Sequence, residues 1–222
     1  GTVTVTGTIR TIGTGFVGGT GVGDSAGKQG EGTAAAGDTV SNANNGNGGG
    51  GANSSNQGGA GGGHGTAGTN KGGATGGIAV GLADLTEMNI GGSGGSGDDH
   101  ATGATVSGRG GDGGGITAIF CRTISVTGSI QATGNDGGTC DHATDHAGEG
   151  GGGAGGSILI KGNDVTLGTD LVTANAGAGG DHSASADNKG GAGGAGRIAV
   201  YYGAAVSGTT SPTYNSTQDS AI

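Results

Sequence analysis

The chain has 222 residues, of which 64 are glycine, against one proline, two phenylalanines, three tyrosines and no tryptophan. Side chains this small and sparse exclude a conventional apolar core, and collagen is excluded because glycine does not fall at every third position and proline is nearly absent. The net charge is −9, with eight basic residues scattered singly, which excludes a nucleic-acid-binding stripe or a polybasic membrane patch.

The first predicted element is a strand over 3–11, where Val3, Val5 and Ile9 alternate with threonines in the period of two that marks a half-buried strand. A long glycine-rich excursion follows over 13–77, expected to fold out and back more than once. It ends in Gly76-Gly77-Ile78-Ala79-Val80. Leu85 to Ile90 reads as a short strand, and a second excursion runs over 91–115 into Gly114-Gly115-Ile116. Ile116 to Cys121 is the longest apolar stretch and is far too short to cross a bilayer. Ile124 to Ala132 repeats the pattern of Val3 to Thr11 at a constant offset of 121 residues. Excursions over 134–156 and 177–196 then lead into Gly155-Gly156-Ser157-Ile158-Leu159-Ile160 and Gly196-Arg197-Ile198-Ala199-Val200, with Val165 to Thr173 as a strand between them.

The return isoleucines Ile78, Ile116, Ile158 and Ile198 are 38, 42 and 40 residues apart. A period near 40 predicts stacked units, none of which buries its apolar face alone. The expected fold is all-β: a thin β-solenoid of about four ~40-residue repeats with no α-helix. The units fall at 1–81, 82–121, 122–161 and 162–203, followed by a Thr/Ser-rich tail over 204–222 available for contact between subunits. The expected core is Val3, Val5, Ile9, Ile124, Val126, Ile130, Ile158, Ile160, Val165, Leu167, Leu171, Ile198 and Val200.

Glycine loses the most backbone freedom on ordering and brings no side chain to bury. Without the repeats, such a chain would read as a flexible linker. Excursions in register in every unit point instead to extended legs with three residues per turn, packed side by side where only glycine fits. Gly110 to Gly115 and Gly150 to Gly156 suit that packing. At about 3.1 Å per residue, a leg of ten residues would reach on the order of 30 Å from the strands.

In these repeats the chain resembles glycine-rich extracellular proteins with polyglycine II sandwiches, namely phage tail-fibre adhesins and bacterial surface proteins with Gly-Gly-x-Gly-Gly-x-Ile-x-[Ile/Val] repeats. The resemblance covers residues 1–203 and rests on repeat style and composition. It implies that loops between glycine legs carry receptor specificity, for cell-surface glycans or other receptors. The sustained strands depart from the adhesin pattern.

His100, His142 and His182 each lie 16 residues before a return isoleucine, and each follows an aspartate: Asp99, Asp141 and Asp181. His64 lies 14 before Ile78. Imidazole with carboxylate suits zinc, copper or nickel, whereas Asp98, Asp99, Asp141, Asp145 and Asp181 would favour calcium, or the ladder would contact a receptor. Turn chemistry recurs in every unit by necessity and accounts for the same register, with aspartate capping a tight turn; it is the preferred reading, so no cofactor is expected. Cys121 and Cys140 are the two cysteines, open to a disulfide, to free thiols or to an intermolecular bond.

Arg10, Arg122, Lys161 and Arg197 are isolated on or beside strands, and no paired carboxylates or Ser-His-Asp set follow from spacing, so the chain reads as non-enzymatic. A β-helix polysaccharide-active enzyme stands as the alternative by fold analogy alone. The start at Gly1 reads as a trimmed, secreted product, placing the chain outside the cell or on its surface. Strands at both ends without an amphipathic capping helix lead to the expected function, a subunit of a head-to-tail filament of identical copies.

Overall fold

The computed structural model describes residues 1–23, 25–53, 56–99, 106–140, 147–181 and 185–222. Among them there is no helix, as expected of an all-β chain. Eight strands form one sheet: β1 Thr2–Val5, β2 Thr8–Arg10, β3 Ile116–Phe120, β4 Thr123–Val126, β5 Ser129–Gln131, β6 Ser157–Thr173, β7 Arg197–Ser211 and β8 Asn215–Gln218. Threonine, valine and isoleucine dominate them because side chains branched at Cβ pack well on a pleated surface.

Every pairing is parallel, and successive passes of the chain lie on one another in three ladders. In the first, Thr2 pairs with Thr123, Thr123 with Asp164, and Asp164 with Ala205. In the second, Ile9 pairs with Ile130, Ile130 with Val172 and Val172 with Thr210. The third stacks Ala118, Leu159, Ala199 and Asn215 from β3, β6, β7 and β8. The 121-residue offset read from sequence is the register in which β1 lies on β4 and β2 on β5. The sheet curls, so that inward side chains of all three ladders meet in one cluster around Ile124, Ile130, Ile158, Ile160, Leu167 and Ile198.

Five details differ from the sequence reading. Ile116 pairs with Ser157 rather than Ile158, one residue off the isoleucine alignment. A one-residue slip reverses the faces, so Ile116 points out, 37% exposed, while Thr117 is buried. Val172 replaces Leu171 in the core, because Gly168 and Asp170 take left-handed φ of 72° and 52° and shift the register there. Ile9 is 36% exposed, since among the described residues its strand has a neighbour on one edge only. Ile78 to Val80 and Leu85 to Ile90 form no strand; Leu85 is buried with φ 54°. The stretch from 204 belongs to β7 through Ser211 and returns to the sheet as β8.

The glycine-rich segments form a second layer. Residues 148–156 show its logic. The N–H groups of Gly148, Gly151 and Ala154 donate to Asp98, Gly95 and Gly92. Those of Glu149, Gly152 and Gly155 donate to Asn188, Gly191 and Gly194, and those of Gly150, Gly153 and Gly156 to Gly138, Asn135 and Ala132. Carbonyls of the same leg accept in turn from Gly108, Gly111 and Gly114 and from Gly59 and Gly62. Partners thus rotate with a period of three residues, so that neighbours surround the leg instead of flanking it as in a sheet. Segments within 13–77 join the same layer: Gly27 and Gly30 donate to Ala52 and Gly49, and Ala60 and Gly63 to Gly50 and Asn47.

The third-residue period also explains the glycines. A Cβ on Gly150, Gly153 or Gly156 would fall closer than 3.0 Å to the carbonyl oxygens of Arg109, Asp112 and Gly115. A Cβ on Gly190, Gly193 or Gly196 would strike those of Gly150, Gly153 and Gly156 in the same way. The obstacle is backbone locked in its own hydrogen bonds, so it cannot give. Gly153→Ala should therefore lower the melting temperature by several degrees, for overpacking of about 1–3 kcal/mol at about 2–4 °C per kcal/mol. Gly7→Ala, where nothing lies within 4 Å, should move it by no more than about 2 °C. Thermal denaturation followed by circular dichroism distinguishes the two.

Candidate functional surfaces

The leg over 148–156 ends where β6 begins, and those over 108–114 and 190–196 end at β3 and β7. Their opposite ends therefore form a face remote from the strands. There Asp99 bridges Ser25 on one side and Ala147 on the other, Gln57 accepts from Asp98 N, and Gly58 donates to Asp187 O. Excursion ends from all along the chain converge on this one face.

Side-chain acceptors complete the layer where a neighbouring carbonyl is lacking. Asp98 Oδ1 accepts from Gln57 N at 2.6 Å, Asp112 Oδ1 from Gly18 N at 2.8 Å, and Asp136 Oδ1 from Ala178 N at 2.7 Å. Ser96 and Ser107 hydroxyls accept from Lys28 N and Val22 N at 2.8 and 2.9 Å. Glu149, fully buried, accepts from Cys140 N at 2.8 Å. Backbone donors stabilise these carboxylates, which gives the acidic composition a structural use. This role is not among the sequence expectations, although serines at 93 and 96 and the pair Arg109 and Asp112 already carry the three-residue spacing of the legs.

Of the Asp-His ladder, Asp99 is buried and Asp181 is exposed in an ion pair with Lys189; His100, Asp141, His142 and His182 lie outside the described residues. Among the described residues, no group of three or more His, Cys, Asp or Glu is placed to hold a metal ion. Cys121 and Cys140 are not joined: Cys121 packs against the apolar cluster, and Cys140 Sγ lies 3.5 Å from Glu149 Oε1.

His64 sits fully buried between the two layers. Its Nδ1 is 2.8 Å from Gly155 O, and Nε2 is 3.5 Å from Ser157 Oγ, whose proton goes to Asn89 O at 2.7 Å. With a carbonyl rather than a carboxylate on Nδ1 and no exposure to solvent, the pair is a structural contact and not a nucleophile with its base. Burial chiefly lowers the His64 pKa and the Arg197 charge adds to that, against the hydrogen bond to Gly155.

The second surface is the pair of sheet edges. Among the described residues, β1, β2 and β3 each have a strand on one side only, β4, β5 and β6 respectively, and at the other end Ala205–Ser211 of β7 pairs only with β6, and β8 only with β7. No family model, curated protein or solved structure matches this chain.

Because His64 binds a proton less readily folded than unfolded, its contribution to stability is complete above the unfolded value of about 6.5 and declines as pH falls below it. The urea midpoint of the protein should drop between pH 7 and 5.5. His64→Gln should flatten that slope, since Asp38, Asp84 and Asp219, all held below 3.8, do not titrate in this window.

Proposed function

We propose that this chain is a non-catalytic structural protein of the cell exterior, a β-solenoid of four passes that polymerises head to tail into a filament. The observation that carries the reading is the state of the two sheet edges. Each presents parallel-strand N–H and C=O groups that no strand among the described residues takes up. Such edges template further strands, and a contact between two different surfaces of identical copies gives an open chain rather than a closed dimer. The glycine legs, read as polyglycine II-type helices, supply a second, stiff layer alongside the sheet. Their dense backbone hydrogen bonding suits a load-bearing or resistant material more than a catalyst that must move.

A second reading, a receptor-binding adhesin, draws support from the convergence of excursion ends around Ser25, Asp99 and Ala147 on one face. The two are compatible in one polymer displaying that face repeatedly along its length. Negative-stain microscopy of the purified chain at high concentration should show unbranched filaments; monodisperse monomers would overturn the filament reading. Binding of those monomers to whole cells or immobilised glycans would then favour the adhesin.

A further inference from the structure

In the third ladder, Ser157, Leu159, Lys161, Arg197 and Tyr201 alternate with Ile158, Ile160, Ile198 and Val200 of the apolar cluster, and so face away from it. Residues 79–90 cross this outer face and are held there lightly. Arg197 Nε donates to Val80 O at 3.1 Å, Tyr201 OH to Asp84 O at 2.8 Å and Ser157 Oγ to Asn89 O at 2.7 Å; Asn47 Nδ2 reaches Ile90 O at 3.4 Å. Leu85 is the one buried side chain of the segment. Beneath it remains a cavity of about 380 Å³, lined by Leu85, Thr86 and Met88 from above and by Leu159, Lys161 and Tyr201 from the sheet. The leg over 148–156, by contrast, donates every one of its N–H groups to a neighbouring segment.

Both ends of this segment reach His64. Val80 N donates to His64 O at 2.8 Å, and Asn89 O takes the proton of Ser157 Oγ, the atom 3.5 Å from His64 Nε2. Gly155 O can only accept, so the hydrogen-bond network assigns the imidazole proton to Nδ1 and leaves Nε2 bare. A second proton would put a full charge where no water reaches. The charged group that acts on it is Arg197, of like sign. The residues bonded around it, Gly155, Ser157, Thr66, Val80 and Asn89, bring no carboxylate to balance that charge.

We propose that residues 79–90 are an acid-released strap: protonation of His64 lifts them from the sheet and admits water to the imidazolium, while the sheet and the glycine legs stay in place. A buried charge without a counter-charge is costly, and the segment with the fewest contacts is the one whose local opening relieves it. His64 holds a proton less readily under the closed strap than in water, so the open state gains as pH falls below the ordinary value of 6.5. Release uncovers Leu159 and Tyr201, half-buried beneath the strap, so the molecule presents a more apolar face in acid than at neutrality.

Amide hydrogen exchange followed by NMR tests the strap in the native protein. After correction for the intrinsic pH dependence of exchange, the Val80 amide should open about tenfold more at about pH 5.5 than at about pH 7.5, the ratio that linkage to one histidine gives over that range. The Gly152 amide, in the leg, should keep its protection at both. His64→Gln should remove the response, which separates His64 from His100, His142 and His182. Tyr201→Phe removes a tether and leaves His64, so it should speed exchange of Val80 at both pH values and keep the ratio. No response at Val80, a response that persists in His64→Gln, or one shared equally by Gly152 overturns the strap. Unchanged exchange in Tyr201→Phe overturns it as well, and that variant decides the matter should His64→Gln fail to fold.

Discussion

Everything in this molecule depends on how a backbone without side chains can be kept dry and hydrogen-bonded. Each buried peptide group needs a partner, and a layer built mainly of glycine offers little apolar surface with which to offset the entropy of ordering it. The solution is a leg whose donors rotate through its surroundings every third residue. Gly148 to Gly156 send their N–H groups to three segments in turn. Legs can approach this closely only because the contact positions have no Cβ. The residue that is entropically least suited to order is also the only one that permits the packing that imposes it.

The sheet and the glycine layer fix one another. Each strand pass in the ladders fixes the end of the leg before it, so that the legs leading into β3, β6 and β7 arrive in common register. The legs in turn hold the sheet from one side, with His64 fully buried where the layers meet. Polar residues within the legs serve the same end. Ser96, Ser107, Asp98, Asp112 and Glu149 accept backbone hydrogen bonds that a neighbouring carbonyl does not provide. A chain with a formal charge of −9 thus places part of its acidity inside the structure, where oriented N–H dipoles make it tolerable.

Within the legs, backbone groups find partners on several sides at once, whereas the outer strands of the sheet, β1, β2 and β3 on one side and Ala205–Ser211 and β8 on the other, have no further strand beside them among the described residues.

Much of this was legible in the sequence. The 121-residue offset between Val3–Thr11 and Ile124–Ala132 gave the pairing register, and the alternation of threonine with valine and isoleucine placed Val5, Ile124, Val126, Ile158, Ile160, Ile198 and Val200 inside. These features are local or periodic, and pattern reveals them directly. What only the tertiary structure decided was register at the level of one residue and the partners of each leg. The serine before Ile158 shifts its pass by one position against β3, and left-handed Gly168 and Asp170 exchange Leu171 for Val172. Neither can be read from composition, because a slip or bulge depends on which neighbour is already in place. For the same reason, glycine density announced close packing, but only the assembled layer assigned each N–H its acceptor, and only the finished ladders showed which two edges were left open.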